Sequence, residues 1–433
     1  MKFSYQFSNL CGTVYKQGNL VFTADGNSVL SPVGNRITLF DLVNHKSVTL
    51  PFENRKNIAH IALSPNGSTL ISVDEDGLAL LVNFYKRVVL CEFHFQKPVH
   101  ALQFSPDSKF VAVSHGNHTL VYNAPPLVTE FRPFALHRKY TGHYDDVVCI
   151  EWSHDSRYFV TGSKDNTVRV YSLHPTPGFE PLVLTGHKSQ VMAVFFGAEI
   201  DPGTPHGTTL YSVSKDGSLF QWRWLPFLGD KKEKAEDKAD EASDEEEEEG
   251  GADTDDGEDG ANGEHKGKAI KTSKPNGAAA ASSAAAGKKK AHQRHQKKKD
   301  KHAFLAELNA AYSAKDFDIA RGRYKIVKKH YFKQQGAKVQ CATLHRGKAF
   351  NLLIAGFSSG VFGLYELPDF NNIHTLSISQ KRITTVTVNP TGEWLAFGSS
   401  RLGQLLVWEW KSETYVLKQQ GHFFDVNCLA FSP

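Results

Sequence analysis

The stretch TGHYDDVVCIEWSHDSRYFVTGSKDNTVRVYSL, residues 141–173, constrains the fold more than any other, because the chain repeats its pattern in weaker form. A Gly-His pair (Gly142, His143) precedes an apolar run over 147–152. The turn Ser153-His154-Asp155-Ser156 leads to a second run through Thr161, and the tight turn Lys164-Asp165-Asn166 leads to a third over 168–171. Short β-rich runs separated by turn residues make an antiparallel meander. In such a unit His143, Thr161, Asp165 and Tyr171 stand where they can hydrogen-bond through the interior and tie the outer loop to the inner strands.

A second copy follows. Thr185-Gly186-His187 leads to a run over 191–196, then 210–214, Lys215-Asp216-Gly217 and 218–222, so that His187, Ser212, Asp216 and Trp222 take the same four roles. The two Gly-His pairs lie 44 residues apart, the period of four-stranded propeller blades. The fold class is therefore all-β: a WD40 β-propeller of about seven four-stranded blades.

Blades 1–5 are expected over 1–228. The first is degenerate, with Phe40 in the aromatic place, and residues 3–7 are a candidate outer strand for the last blade, a closure that removes a sheet edge. Ser64-Pro65 and Ser105-Pro106, 41 residues apart, mark the second and third blades. Neither has a Gly-His pair, so their networks are expected to be incomplete, although Asp76 remains at a tight turn. Residues 229–302 are acidic, with the run 244–249, then basic, with Lys288, Lys289, Lys290 and Lys297, Lys298, Lys299. High local charge and few apolar groups cannot offset ordering entropy, which predicts a disordered insertion. Phe304, Leu305, Leu308 and Tyr312 fall at helical spacing, predicting a short helix and linker over 303–322. Blades 6 and 7 are expected over 323–420, and 421–433 reads as the truncated start of a further blade, from which a longer parent polypeptide is expected.

Five scattered cysteines form no CxxC pair. Cys149 and Cys428 fall at matching strand positions and read as small buried residues in a reducing compartment. No run approaches a signal peptide or a membrane span, so the chain reads as soluble and intracellular. Histidine, aspartate and serine or threonine recur together in a way that suggests a hydrolytic triad, but the triplets repeat with the blades, whereas an enzyme needs one site opening into a cleft. The glycine run at 356–363 lacks phosphate-loop spacing, and the 20 histidines show no zinc-ligand spacing. No enzyme, cofactor or metal is expected. The lysine clusters fit nuclear import or loose RNA phosphate contact, with a solvated tail as the plain alternative; Ser243 before its acidic run resembles an acidophilic kinase site.

Outside the generic repeat, FSNLCGTVYKQGNLVFT, LSPVGNRITLFDL, ISVDEDGLALLVNF and TGEWLAFGSSRLGQLLVWEW closely resemble the periodic tryptophan protein 2 family of eukaryotic nucleolar WD-repeat proteins. The resemblance implies a UtpB subunit of the small-subunit processome, acting with other UtpB subunits, processome proteins, precursor rRNA and snoRNP in the nucleus and nucleolus, without a membrane. It also implies two tandem propellers and a helical assembly region, of which this chain would hold the first propeller. The competing reading is a substrate- or peptide-recognition propeller, such as a ubiquitin-ligase adaptor or a histone-tail reader. If the insertion is a solvated loop, deleting 230–301 leaves the melting temperature nearly unchanged, as thermal unfolding followed by circular dichroism will show; a large drop would mean that it packs.

Overall fold

The computed structural model describes residues 15, 17–127, 133–174, 180–197, 208–226, 322–332, 336–347, 351–378 and 380–420. The charged insertion, the expected helix at 303–312, residues 3–7 and the stretch 421–433 lie outside the described residues.

The strands group into seven four-stranded sheets, each with its strands side by side in chain order. The first strands of the sheets are Val21–Phe22, Ile58–Leu63, Leu102–Phe104, Val147–Trp152, Val191–Phe196, Val339–Arg346 and Thr385–Val388. Each lies against its counterpart in the next sheet, and Val21–Phe22 meets Thr385–Val388. That last contact closes the ring. The protein is a seven-bladed β-propeller with these strands around a central channel.

Burial explains the strand compositions. The second strands Thr69–Asp74, Tyr158–Ser163 and Asn351–Phe357 are buried along their whole length, because neighbouring blades cover both faces, and the hydroxyls buried in them, such as Ser72 and Thr161, need internal partners. Outer strands such as Leu136–Tyr140 are largely exposed. The turns between first and second strands share one device: Ser64, Ser105 and Ser153 accept the amides of Thr69, Phe110 and Tyr158 at 2.9, 3.0 and 3.0 Å. Their hydroxyls donate to Asn66, Asp107 and Asp155. Those side chains hold the tight turns that the Ser-Pro spacing marked.

One expectation of strand order changes. Gly322–Tyr331 is not the start of blade six but the fourth strand of blade five, beside Ser218–Pro226. The insertion joins two strands that are neighbours in space, and because closure entropy grows slowly with loop length, pairing survives so long a connection. Blade seven has its own outer strand, Thr414–Gln420, so no strand from the chain start is needed there. The described counterpart of Cys149 is Cys341: both sit at a register shift near the start of a first strand, each facing a glycine of the second strand, Gly162 and Gly356. Cys428 lies outside the described residues. Burial pushes the Cys149 and Cys341 thiols up to about 12, which suits packing and not redox chemistry. No helix among the described residues is long and apolar enough to cross a membrane.

The glycine–cysteine contact is testable. A Cβ at Gly356 would stand 2.7 Å from Cys341 Sγ, so Gly356→Ala should cost about 1–3 kcal/mol by overpacking. Adding Cys341→Ala should recover part of that loss in a double-mutant cycle read by denaturant unfolding; additive losses would refute the contact.

Candidate functional site: blade networks and the central channel

In blade four, Gly142 has φ +141° and lies so close to Arg169 that a Cβ would meet Nη1 at 2.6 Å; only glycine fits there without strain. The turn it makes points His143 into the blade. Its Nδ1 lies 3.0 Å from Asp165 Oδ2 and its Nε2 2.8 Å from Thr161 Oγ1. A carboxylate only accepts, so Nδ1 carries the proton and Nε2 accepts from the Thr161 hydroxyl. Asp165 also accepts the amides of Tyr144 and Thr167 at 3.0 and 2.9 Å and the Thr167 hydroxyl at 2.6 Å. Burial raises the Asp165 carboxyl, but these donors together outweigh it and bring it down to about 2. The Tyr171 hydroxyl donates to the Thr141 carbonyl at 3.2 Å and also lies within reach of the Thr161 hydroxyl.

Blade five solves the same problem with a longer relay. Trp222 Nε1 donates to Ser212 Oγ at 2.8 Å, Ser212 Oγ lies 2.6 Å from His187 Nε2, and His187 Nδ1 lies 3.0 Å from Ser218 Oγ. Contrary to what the repeat pattern predicts, Asp216 does not touch the imidazole directly. Ser218 stands between them, and Asp216 takes the Ser218 amide and the Ser214 hydroxyl. With no carboxylate on the ring, burial holds His187 at about 4.

The second and third blades are completed by chemistry that the Gly-His search passes over. Asn54, 2% exposed, occupies the histidine place in blade two: its Oδ1 accepts from Ser72 Oγ at 2.8 Å and its Nδ2 donates to the Ser72 carbonyl at 3.4 Å. Asp76 turns outward to Lys56. In blade three Phe95 fills the space, 5.8 Å from Tyr122 and 5.7 Å from Phe134. Register places Phe40, Tyr122, Tyr171, Trp222, Tyr365 and Trp408 at equivalent third-strand positions, opposite Val29, Val111, Phe159, Leu210, Leu353 and Leu395.

These triplets cannot act as hydrolytic sites as they stand. The His143 side chain is 1% exposed and Thr161 is fully buried, so no substrate reaches either. Among the described residues no group of three or more His, Cys, Asp or Glu converges to hold a metal. The lysine clusters at 288–290 and 297–299 lie outside the described residues.

The channel carries a polar brace that sequence reasoning missed. Arg346, from blade six, donates through Nη2 to Glu151 Oε1 of blade four at 2.6 Å and through Nε to the Phe196 carbonyl of blade five at 2.9 Å. Gln103 of blade three donates to the other Glu151 oxygen at 2.9 Å. Four blades meet in one network. Polar residues at first-strand positions between buried apolar ones were the signal available.

A family model described as WD domain, G-beta repeat matches residues 86–123 and 134–172. Each match begins on the outer strand of one blade and runs through three strands of the next. A chain of the crystal structure of the mitotic checkpoint complex aligns with a TM-score of 0.57 and 12% identity, covering 93% of this chain and 90% of that one; it shows the fold alone. Along 100% of its length the chain is 43% identical to the periodic tryptophan protein 2 homolog of Neurospora crassa, 40% to periodic tryptophan protein 2 of Saccharomyces cerevisiae and 41% to the Mus musculus homolog. The chain belongs to the periodic tryptophan protein 2 family. It spans 39%, 38% and 42% of those relatives' lengths. In this family member the tryptophan of the name holds the third-strand place in blades five and seven, and other aromatics hold it in blades one, three, four and six.

Two outcomes follow from the networks. Asp165→Ala leaves the Tyr144 and Thr167 amides without their acceptor and should cost about 1–3 kcal/mol; an unchanged melting temperature would sink the assigned network. A histidine at about 4 when folded and about 6.5 when unfolded binds its proton only in the unfolded chain between those values. Stability therefore falls as pH drops from about 6.5 to about 4, and Asp165 adds a loss in the same direction from about 4 towards 2. Melting temperature should fall less steeply over the upper window in His187→Gln than in the parent protein.

Proposed function

We infer that this protein is a non-catalytic scaffold of ribosome biogenesis: a UtpB-type subunit of the nucleolar small-subunit processome that binds partner proteins and precursor rRNA during 18S rRNA processing and 40S assembly. Similarity to periodic tryptophan protein 2 relatives along the whole chain carries this reading. The blade networks favour it too, since their histidines, aspartates and hydroxyls are spent on one another inside a rigid ring. The lysine clusters of the insertion add nuclear import or loose RNA contact. The competing peptide-reader role is disfavoured by the Gln103–Glu151–Arg346 brace, which occupies channel-facing groups that such a ligand would use.

The deciding experiment is crosslinking in cells, with sequencing of attached RNA and mass spectrometry of co-purified proteins. Precursor rRNA leader sequence, snoRNP components and other UtpB subunits are expected. Ubiquitin-ligase subunits or histones without precursor RNA would replace the scaffold with the reader.

A further inference from the structure

In a blade whose strands run alternately outward from the channel, the turn between second and third strands and the loop leading into the first strand lie on one face of the ring; the other turns lie on the opposite face. On the first face the turns of blades two, four, five and six are pinned to the leading loops of their own blades. Glu75 N donates to Asn57 O, Lys164 N to Asp146 O, Lys215 N to Gln190 O and Ser358 N to Lys338 O, at 2.8–3.1 Å. Blade-to-blade bonds continue the chain, with Val147 N to Gly116 O at 2.9 Å and Val339 N to Lys215 O at 3.1 Å. The loops form a stiff, continuous platform.

Charge on that platform is uneven. Blades five to seven present Lys188, Lys338, Arg382 and Arg401, all exposed, with Lys215 half-buried between them. No described carboxylate lies within ion-pairing distance of any of the five. Asp216, the acidic residue of the described loops there, accepts the Ser218 amide and the Ser214 hydroxyl. Elsewhere on the same face the cations stand among carboxylates: Lys56 pairs with Asp76 and Lys164 with Asp146 at 2.7 and 2.8 Å, and Glu75 and Asp145 add acidic charge to the loops that carry Arg55 and Lys97. On the opposite face Lys411 pairs with Glu393 and Lys109 lies near Asp107.

We propose that the platform of blades five to seven binds the phosphate backbone of single-stranded RNA through Lys188, Lys215, Lys338, Arg382 and Arg401. Five cations spread over three blades, held on a stiff backbone and without internal neutralisation, match a ligand whose charges recur along a chain; a compact carboxylate would leave most of them unused. Ser358 and Ser359 in the blade-six turn and Ser400 in the blade-seven turn supply hydroxyl donors along the same path. Tyr144, 89% exposed on the leading loop of blade four, stands next on that face, where a base can stack. The assignment rests on the RNA-scaffold reading and adds to it the face and the residues.

The test uses the whole chain and a fluorescent oligouridylate of about 20 nucleotides, a length that spans several contacts, titrated at several salt concentrations. Lys188→Glu/Lys338→Glu/Arg382→Glu should weaken binding at least about tenfold and lower the slope of log affinity against log salt by about 2, since three phosphate contacts go. The opposite-face control Lys46→Glu/Lys86→Glu/Arg157→Glu should bind like the parent protein. Circular dichroism confirms that both variants fold, and the matching alanine triple should show the same order of effects. Equal binding by the two charge-reversed variants, with loss only on deleting 288–299, would overturn the platform and leave the RNA reading standing. No binding by the parent protein would overturn both. Displacement of the RNA by polyglutamate at equal charge as effectively as by unlabelled RNA would instead assign the platform to an acidic protein segment.

Discussion

Hydrophobic burial in this protein is organised between blades, and the ring depends on it. Leu30, Ile37 and Leu50 of blade one share a cluster with Ile58, Ile61 and Leu70 of blade two. Phe195 and Tyr211 of blade five share one with Leu353 and Tyr365 of blade six. Phe22 and Phe40 of blade one pack on Ala396, Leu405 and Val407 of blade seven. A blade by itself would expose apolar surface on both faces, and an open ring would leave two such faces in water. Tyr15 sits in the closing cluster, 1% exposed, with its hydroxyl donating to the Gly18 carbonyl at 2.5 Å. The interruption between the third and fourth strands of blade five is compatible with this design because it leaves the shared clusters of the inner strands intact.

The polar networks work within that frame and are interchangeable in kind. A buried imidazole needs partners for both ring nitrogens. Blade four supplies a carboxylate and a threonine; blade five supplies two serines and passes the charge one residue further away. Blade two replaces the ring with an amide, and blade three with a phenylalanine that makes no polar demand. What stays constant is filled, satisfied space beneath the leading loop, which keeps that loop stiff. The stiffness matters for recognition, because charges on pinned loops lose little freedom when a ligand arrives.

Much of this was readable beforehand, and the misses have physical causes. The Gly-His pair, the tight turn and the third-strand aromatic revealed blades four and five because each answers a local demand: positive φ, a turn carboxylate, a large apolar face. Asn54 and Phe95 went unnoticed because they meet the same demand with different chemistry. Gly322–Tyr331 carries no local sign of its blade, because its sheet partner Ser218–Pro226 lies on the far side of the insertion. The role of Ser218 depends on a few tenths of an ångström between a serine and an imidazole, a quantity that no spacing rule carries.

Repeat period, turn residues and short apolar runs by themselves determined the fold class and the approximate blade count, since each is written within one blade's length of chain, and the segments outside the generic repeat carried the family resemblance. Only the tertiary structure decided which strand completes blade five, how Gln103, Glu151 and Arg346 meet across the channel, and that Lys188, Lys338, Arg382 and Arg401 share one face. Those residues are distant along the chain and become neighbours because ring closure sets where every loop emerges. Sequence periodicity encodes the blade; the angular order around the ring, and hence the distribution of charge on its faces, exists only once the blades have packed on one another.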